Sequence, residues 1–92
     1  MKYSIEATTI EPVFKWEQDE DGDWKLWCKR IGERWWYWGL ICPHHQPTYR
    51  IVSDDGLKAA FPPTLAEAQA LAEEMCAGDI LRDLAKIKKE TA

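Results

Sequence analysis

Cys42-Pro43-His44-His45 gathers metal-ligand types into one run, and Cys28, from the neighbouring extended segment, would complete four donors for a tetrahedral zinc. The spacing speaks against it. A structural zinc draws on spaced pairs of cysteines or histidines, and here two adjacent histidines sit between Pro43 and Pro47 with no second pair. Asp19, Asp21 and Asp23 alternate around Gly22 like the start of a calcium loop, but the twelfth position counted from Asp19, where such a loop needs a glutamate, is Arg30. The expectation is an acidic hairpin turn. For catalysis, Cys42 with His44 is the only local pairing of a nucleophile with a base, and no glycine-rich phosphate loop or oxyanion motif accompanies it. No cofactor signature occurs either, so the expectation is a protein that is not an enzyme and binds no metal.

Two further constellations suggest binding rather than turnover. Lys25, Trp27 and Lys29, supported by Arg30 and Arg34, pair an aromatic ring with flanking cations, the chemistry that stacks bases and tracks a phosphate backbone. Arg34, Trp36, Trp38, Tyr49 and Arg50 are the residue types enriched at protein-binding hot spots, and the turn Asp19, Asp21, Asp23 adds an acidic rim suited to a basic partner. The net charge of −4 favours the protein contact. Single-stranded nucleic acid is the alternative.

With 92 residues, 46% of them hydrophobic and 30% charged, the chain is expected to form one domain, residues 1–92, around one core. Three cysteines without framework spacing read as reduced thiols. Met1-Lys2-Tyr3-Ser4-Ile5-Glu6 carries no apolar signal region and no run reaches a membrane span, so the expected location is the cytoplasm. Six tryptophans are the anomaly of the composition.

The elements that must position these residues begin with an extended piece from Tyr3 to Ile10, bent at Pro12 into a second piece ending at Glu17. Residues 18–23 supply turn chemistry between Phe14-Lys15-Trp16 and the strand Trp24 to Arg30. In that strand Trp24, Leu26 and Cys28 share one face and Lys25, Trp27 and Lys29 the other. Ile31-Gly32-Glu33-Arg34 turns into the strand Arg34 to Cys42, the residues Pro43 to Pro47 close it, and Thr48 to Ser53 reads as a fourth strand. Asp54-Asp55-Gly56 turns again, and Leu57 to Phe61 adds a short extended piece. Thr64 with Glu67 forms a capping box after Pro62-Pro63, and Leu65, Ala68, Ala72 and Met75, with Leu71 alongside, recur at helical spacing. Gly78-Asp79 reads as a helix end followed by a new cap, with Ile80, Leu81, Leu84 and Ile87 forming a second amphipathic piece. Strands first and helices last predict an α+β fold: an antiparallel meander of three to four strands, with a C-terminal helix or helix pair packed on one face.

The tryptophan-rich strand sets the demand on everything else. A period of two places Trp35, Tyr37 and Ile41 on one face and Trp36, Trp38, Leu40 and Cys42 on the other, so both faces are apolar. The helical residues are enough to cover only one of them. The other is expected to meet a partner, and a copy of the same chain in a homodimer is one candidate.

The segment Phe61 to Glu74, a capped alanine-rich helix after a tryptophan-rich meander, resembles the closing helix of small sheet-plus-helix proteins of phages and mobile elements, some of them anti-CRISPR or other inhibitors of bacterial defence. The resemblance implies a protein that occupies a surface of a larger bacterial protein or complex in the host cytosol, with Asp19 to Asp23 facing a basic groove.

Overall fold

A computed structural model describes residues 2–5, 8–29, 34–43, 48–54, 56–57 and 62–91. In chain order the elements are β1 (Tyr3–Ile5), β2 (Thr8–Ile10), β3 (Val13–Gln18), β4 (Trp24–Lys29), β5 (Trp36–Pro43), β6 (Tyr49–Ser53), β7 (Gly56–Leu57) and α1 (Leu65–Thr91). Strands β3 to β7 form one antiparallel meander in sequence order, and β1 pairs with β2 as a separate ribbon. The fold is α+β, with a single helix packed on one side of the sheet. The expected turn at 31–33, the loop at 44–47 and the extended residues 58–61 lie outside the described residues.

Local chemistry accounts for the sharpest boundaries. Between β3 and β4 the Asp19 carboxylate accepts the amides of Asp21 and Asp23, at 3.0 and 2.9 Å, and Gly22 takes φ +86°, a left-handed conformation open to glycine at little cost. At the helix start Thr64 Oγ1 accepts the Glu67 amide at 3.1 Å, satisfying one of the orphan donors of the first turn. The Tyr49 amide donates to the Pro62 carbonyl at 3.0 Å, which ties the approach to α1 against the start of β6.

The core lies between sheet and helix. Leu26, Cys28, Ile41 and Ile51 from the strands and Ala68, Ala72, Cys76 and Ala77 from α1 are all at most 1% exposed. Small side chains along the helix let its axis approach the sheet closely, so that the larger strand residues fill the gap. The ribbon β1–β2 lies on the same side: Tyr3 packs edge-on to Phe14 at 6.4 Å, and Ile10 is buried in the same cluster.

Three expectations need correction. Tyr3 to Ile10 is not one strand: Tyr3–Ile5 doubles back onto Thr8–Ile10, which lets Tyr3 and Ile10, directly paired, present one apolar face to the core. The helix does not stop at Gly78. Burial of Ala77, Ile80 and Leu81 continues through it, and each large apolar side chain sealed stabilises by about 2 kcal/mol, against about 1 kcal/mol lost to a helical glycine.

The third correction concerns the faces of β5. Leu26 pairs with Gly39 but Trp27 with Tyr37, so Trp38 is an extra residue, a β-bulge. The bulge resets the alternation. Trp36, Trp38, Gly39 and Ile41 turn toward the helix, whereas Tyr37, Leu40 and Cys42 turn away, so Ile41 and the pair Leu40, Cys42 have exchanged the faces expected of them. A Cβ at Gly39 would collide with the Val52 carbonyl oxygen and lie 2.7 Å from Ser53 Cα, which is why glycine occupies this position.

Candidate interaction face

On the helix side the tryptophans are anchored. Trp16 Nε1 donates to Glu73 Oε2 and Trp38 Nε1 to Asp79 Oδ2, each at 2.8 Å, so two indoles of the sheet are held by two carboxylates of one helix. Asp79 also pairs with Arg82 one turn on. Trp38 is 3% exposed, and Trp36 and Tyr49 pack against the same cluster. The expected patch Arg34, Trp36, Trp38, Tyr49, Arg50 is therefore not one surface. Trp36, Trp38 and Tyr49 face the helix, Arg34 is exposed just ahead of β5, and Arg50, paired with Cys42, points away from the helix.

The side of the sheet that α1 leaves uncovered gathers a different set. Register places Lys15, Trp27 and Tyr37 in one row, Glu17, Lys25, Leu40 and Val52 in the next, and Cys42 with Arg50 beyond. Lys25, Trp27 and Lys29 do lie together, as the alternation in β4 predicts. The structure adds Lys15, Trp35 and Tyr37 to them. The Lys15 and Lys29 ammonium groups sit 5.1 and 4.8 Å from the Trp35 ring centroid, a double cation–π contact worth about 0.5–1 kcal/mol per lysine at an exposed site. Trp27 meets Tyr37 edge-on at 5.5 Å and 61°. Lys15 and Glu17 form a 3.1 Å ion pair, exposed enough to contribute little to stability.

Charge is distributed unevenly along this side. Lys15 and Lys29 cluster about Trp35 at one end of the strands, and Asp19, Asp21 and Asp23 stand at the turn closing the other. Burial, then the neighbouring Asp19 and Asp21, push the Asp23 carboxyl above its ordinary pKa, against the opposing pull of Arg50 and Lys25. Burial and the carboxylates Asp54, Asp19 and Asp23 raise Tyr37 as well, so its phenol stays protonated and able to donate at neutral pH. Trp27 Nε1 and Arg50 Nε, two shielded nitrogens with no acceptor among the described residues, belong to this side too.

Cys28 lies under the helix and Cys42 on the opposite side of the sheet, so the two cannot share an ion; His44 and His45 fall outside the described residues. Asp19 directs its carboxylate at its own turn, and among the described residues no three His, Cys, Asp or Glu side chains converge on a metal position. Cys28 and Cys76 touch across the sheet–helix junction. Their hydrogen bond, then burial, drives the Cys76 thiol pKa upward, which keeps it protonated and unreactive. A cleft of about 190 Å³ opens between Trp36, Trp38, Asp54, Asp79 and Asp83, where Asp79 is already held by Trp38 and Arg82. No helix among the described residues is long and apolar enough to cross a membrane.

Sequence reasoning missed the indole–carboxylate pairs and the contact of Lys15 and Lys29 with Trp35, because both join residues that only strand pairing or the docking of α1 brings together. The one available signal was Gly39 itself, since glycine inside a strand marks a bulge or a close backbone approach. The chain matches no protein-family model, no curated protein and no solved structure.

Proposed function

We propose that this protein is a non-enzymatic binding module whose contact surface is the helix-free side of its sheet, used against another protein in the cytoplasm. One observation carries the reading: Trp27, Trp35, Tyr37 and Leu40 remain only partly covered, ringed by lysines and Arg50, while α1 and the β1–β2 ribbon both pack on the opposite side. Aromatic rings beside cations, with a shielded centre and a polar rim, have the anatomy of a protein-binding hot spot. The narrower proposal, an inhibitor that occupies a bacterial defence complex, takes its support from the resemblance of the capped helix after a tryptophan-rich meander. In that setting Asp21, exposed on its turn, meets a basic groove at the rim.

The nucleic-acid alternative draws on Lys25, Trp27 and Lys29, which the register does bring together. Against it stand the two lysines lying over Trp35, the edge contact of Trp27 with Tyr37, and the acidic turn. Affinity capture from bacterial lysate, comparing wild type with a folded Tyr37→Glu variant, tests the reading. A protein recovered only by wild type is the expected result. Identical recoveries from both would remove this side of the sheet as the contact.

A further inference from the structure

Building on that reading, we infer that the protein occupying the helix-free side is a second copy of this chain, packed sheet to sheet about a two-fold axis that runs across the strands. Such an axis reverses strand direction between the copies. It therefore sets the Asp19–Asp23 turn of each copy over the Lys15, Trp35, Lys29 cluster of the other, and it does so twice, because a two-fold contact is self-complementary. Among the described residues the three aspartates of the turn outnumber Lys25 and Arg50 beside them, and Lys15 and Lys29 outnumber Glu17 at the other end. This arrangement therefore sets unlike net charge together, where a parallel one would put like on like.

The balance of charge points the same way. Among the described residues this side also carries Lys25, Arg50 and Glu17, so cations and carboxylates are interspersed on it. A polyanion laid along such a side is attracted at one end and repelled at the acidic other. Near the axis lie Trp27, Tyr37, Leu40 and Val52, the apolar middle each copy would shelter in the other. Four strands about 4.8 Å apart and six residues long give a side of roughly 20 by 20 Å. That is about 400 Å² per copy, under the roughly 800 Å² of a tight complex, so the association is reversible and in the micromolar range or weaker.

Light scattering on the purified full chain over about 10 µM to 1 mM tests this. The expected mass climbs from one chain toward two. Lys15→Glu/Lys29→Glu makes both poles acidic and Glu17→Lys/Asp21→Lys makes both basic. Each variant alone is expected to stay monomeric at concentrations where wild type is half dimeric, and an equimolar mixture to regain the mass of two chains. Wild type holding the monomer mass to 1 mM overturns the inference, and that measurement needs no variant, so the misfolding of one would not rescue it. Variants that dimerise as well as wild type also overturn it, by placing the contact elsewhere. So does salt-dependent binding of a labelled single-stranded oligonucleotide that Lys15→Glu/Lys29→Glu abolishes. A monomeric wild type that still captures a lysate protein lost on Tyr37→Glu refutes the second copy alone, while monomeric behaviour with unchanged capture refutes the wider reading too.

Discussion

The two sides of this sheet draw on the same strands and the same aromatic vocabulary, and they end in different physical states. Trp16, Trp24, Trp36 and Trp38 face the helix, and two of them give their indole N–H to carboxylates of α1. Trp27 and Trp35 face the other way, where one ring is capped by lysines and the other keeps a shielded N–H with no acceptor among the described residues. What separates a core tryptophan from a surface one here is not its hydrophobicity. It is whether the ring packs against the core under α1 and, at Trp16 and Trp38, whether the helix also supplies an acceptor for the nitrogen.

A pair of leucines gives the largest test of that contrast. Leu26 is fully buried under the helix and Leu40 sits on the uncovered side. Leu26→Ala is expected to cost about 4 kcal/mol in a urea melt of the dilute protein, and Leu40→Ala about 1 kcal/mol. Equal losses would mean that Leu40 is as well covered as Leu26. A pair of tryptophans sharpens the point about the nitrogen. Trp38→Phe leaves Asp79 without its indole donor and is expected to cost about 2 kcal/mol, whereas Trp27→Phe removes a donor with no acceptor among the described residues and should cost no more than about 1 kcal/mol.

The smallest effect is a matter of pH. Because the folded-state pKa of Asp23 lies above its ordinary value of 3.8, the fold prefers this carboxyl protonated. Its ionised form weakens the fold above the raised pKa, and that penalty disappears as pH falls toward 3.8. Asp23→Asn should therefore unfold at higher urea than wild type at pH 7, with the two curves converging below the ordinary aspartate pKa. A gap that persists in acid would assign the effect to something other than the charge.

How much of this is legible in the sequence depends on the element. In β4 apolar and charged residues alternate, so Trp24, Leu26 and Cys28 separate cleanly from Lys25, Trp27 and Lys29, and the structure keeps that division. The helix start at Thr64 is equally plain, because a cap is local chemistry. In β5 apolar residues fill both parities, so the pattern holds no information about direction. A slip of one residue at Trp38 then reassigns Leu40, Ile41 and Cys42. Gly78 misleads for the converse reason: its local preference to end a helix is outweighed by the burial of residues on both sides of it.

Within this chain the sequence by itself determined what sequence-local physics controls: the capped helix, the acidic turn with its left-handed glycine, the strand order, and a central strand apolar at both parities. Tertiary structure alone decided which tryptophans are anchored to α1 and which face away from it. That choice turns on the register between β4 and β5 and on where Glu73 and Asp79 come to rest, and both are set by contacts between residues far apart in the chain.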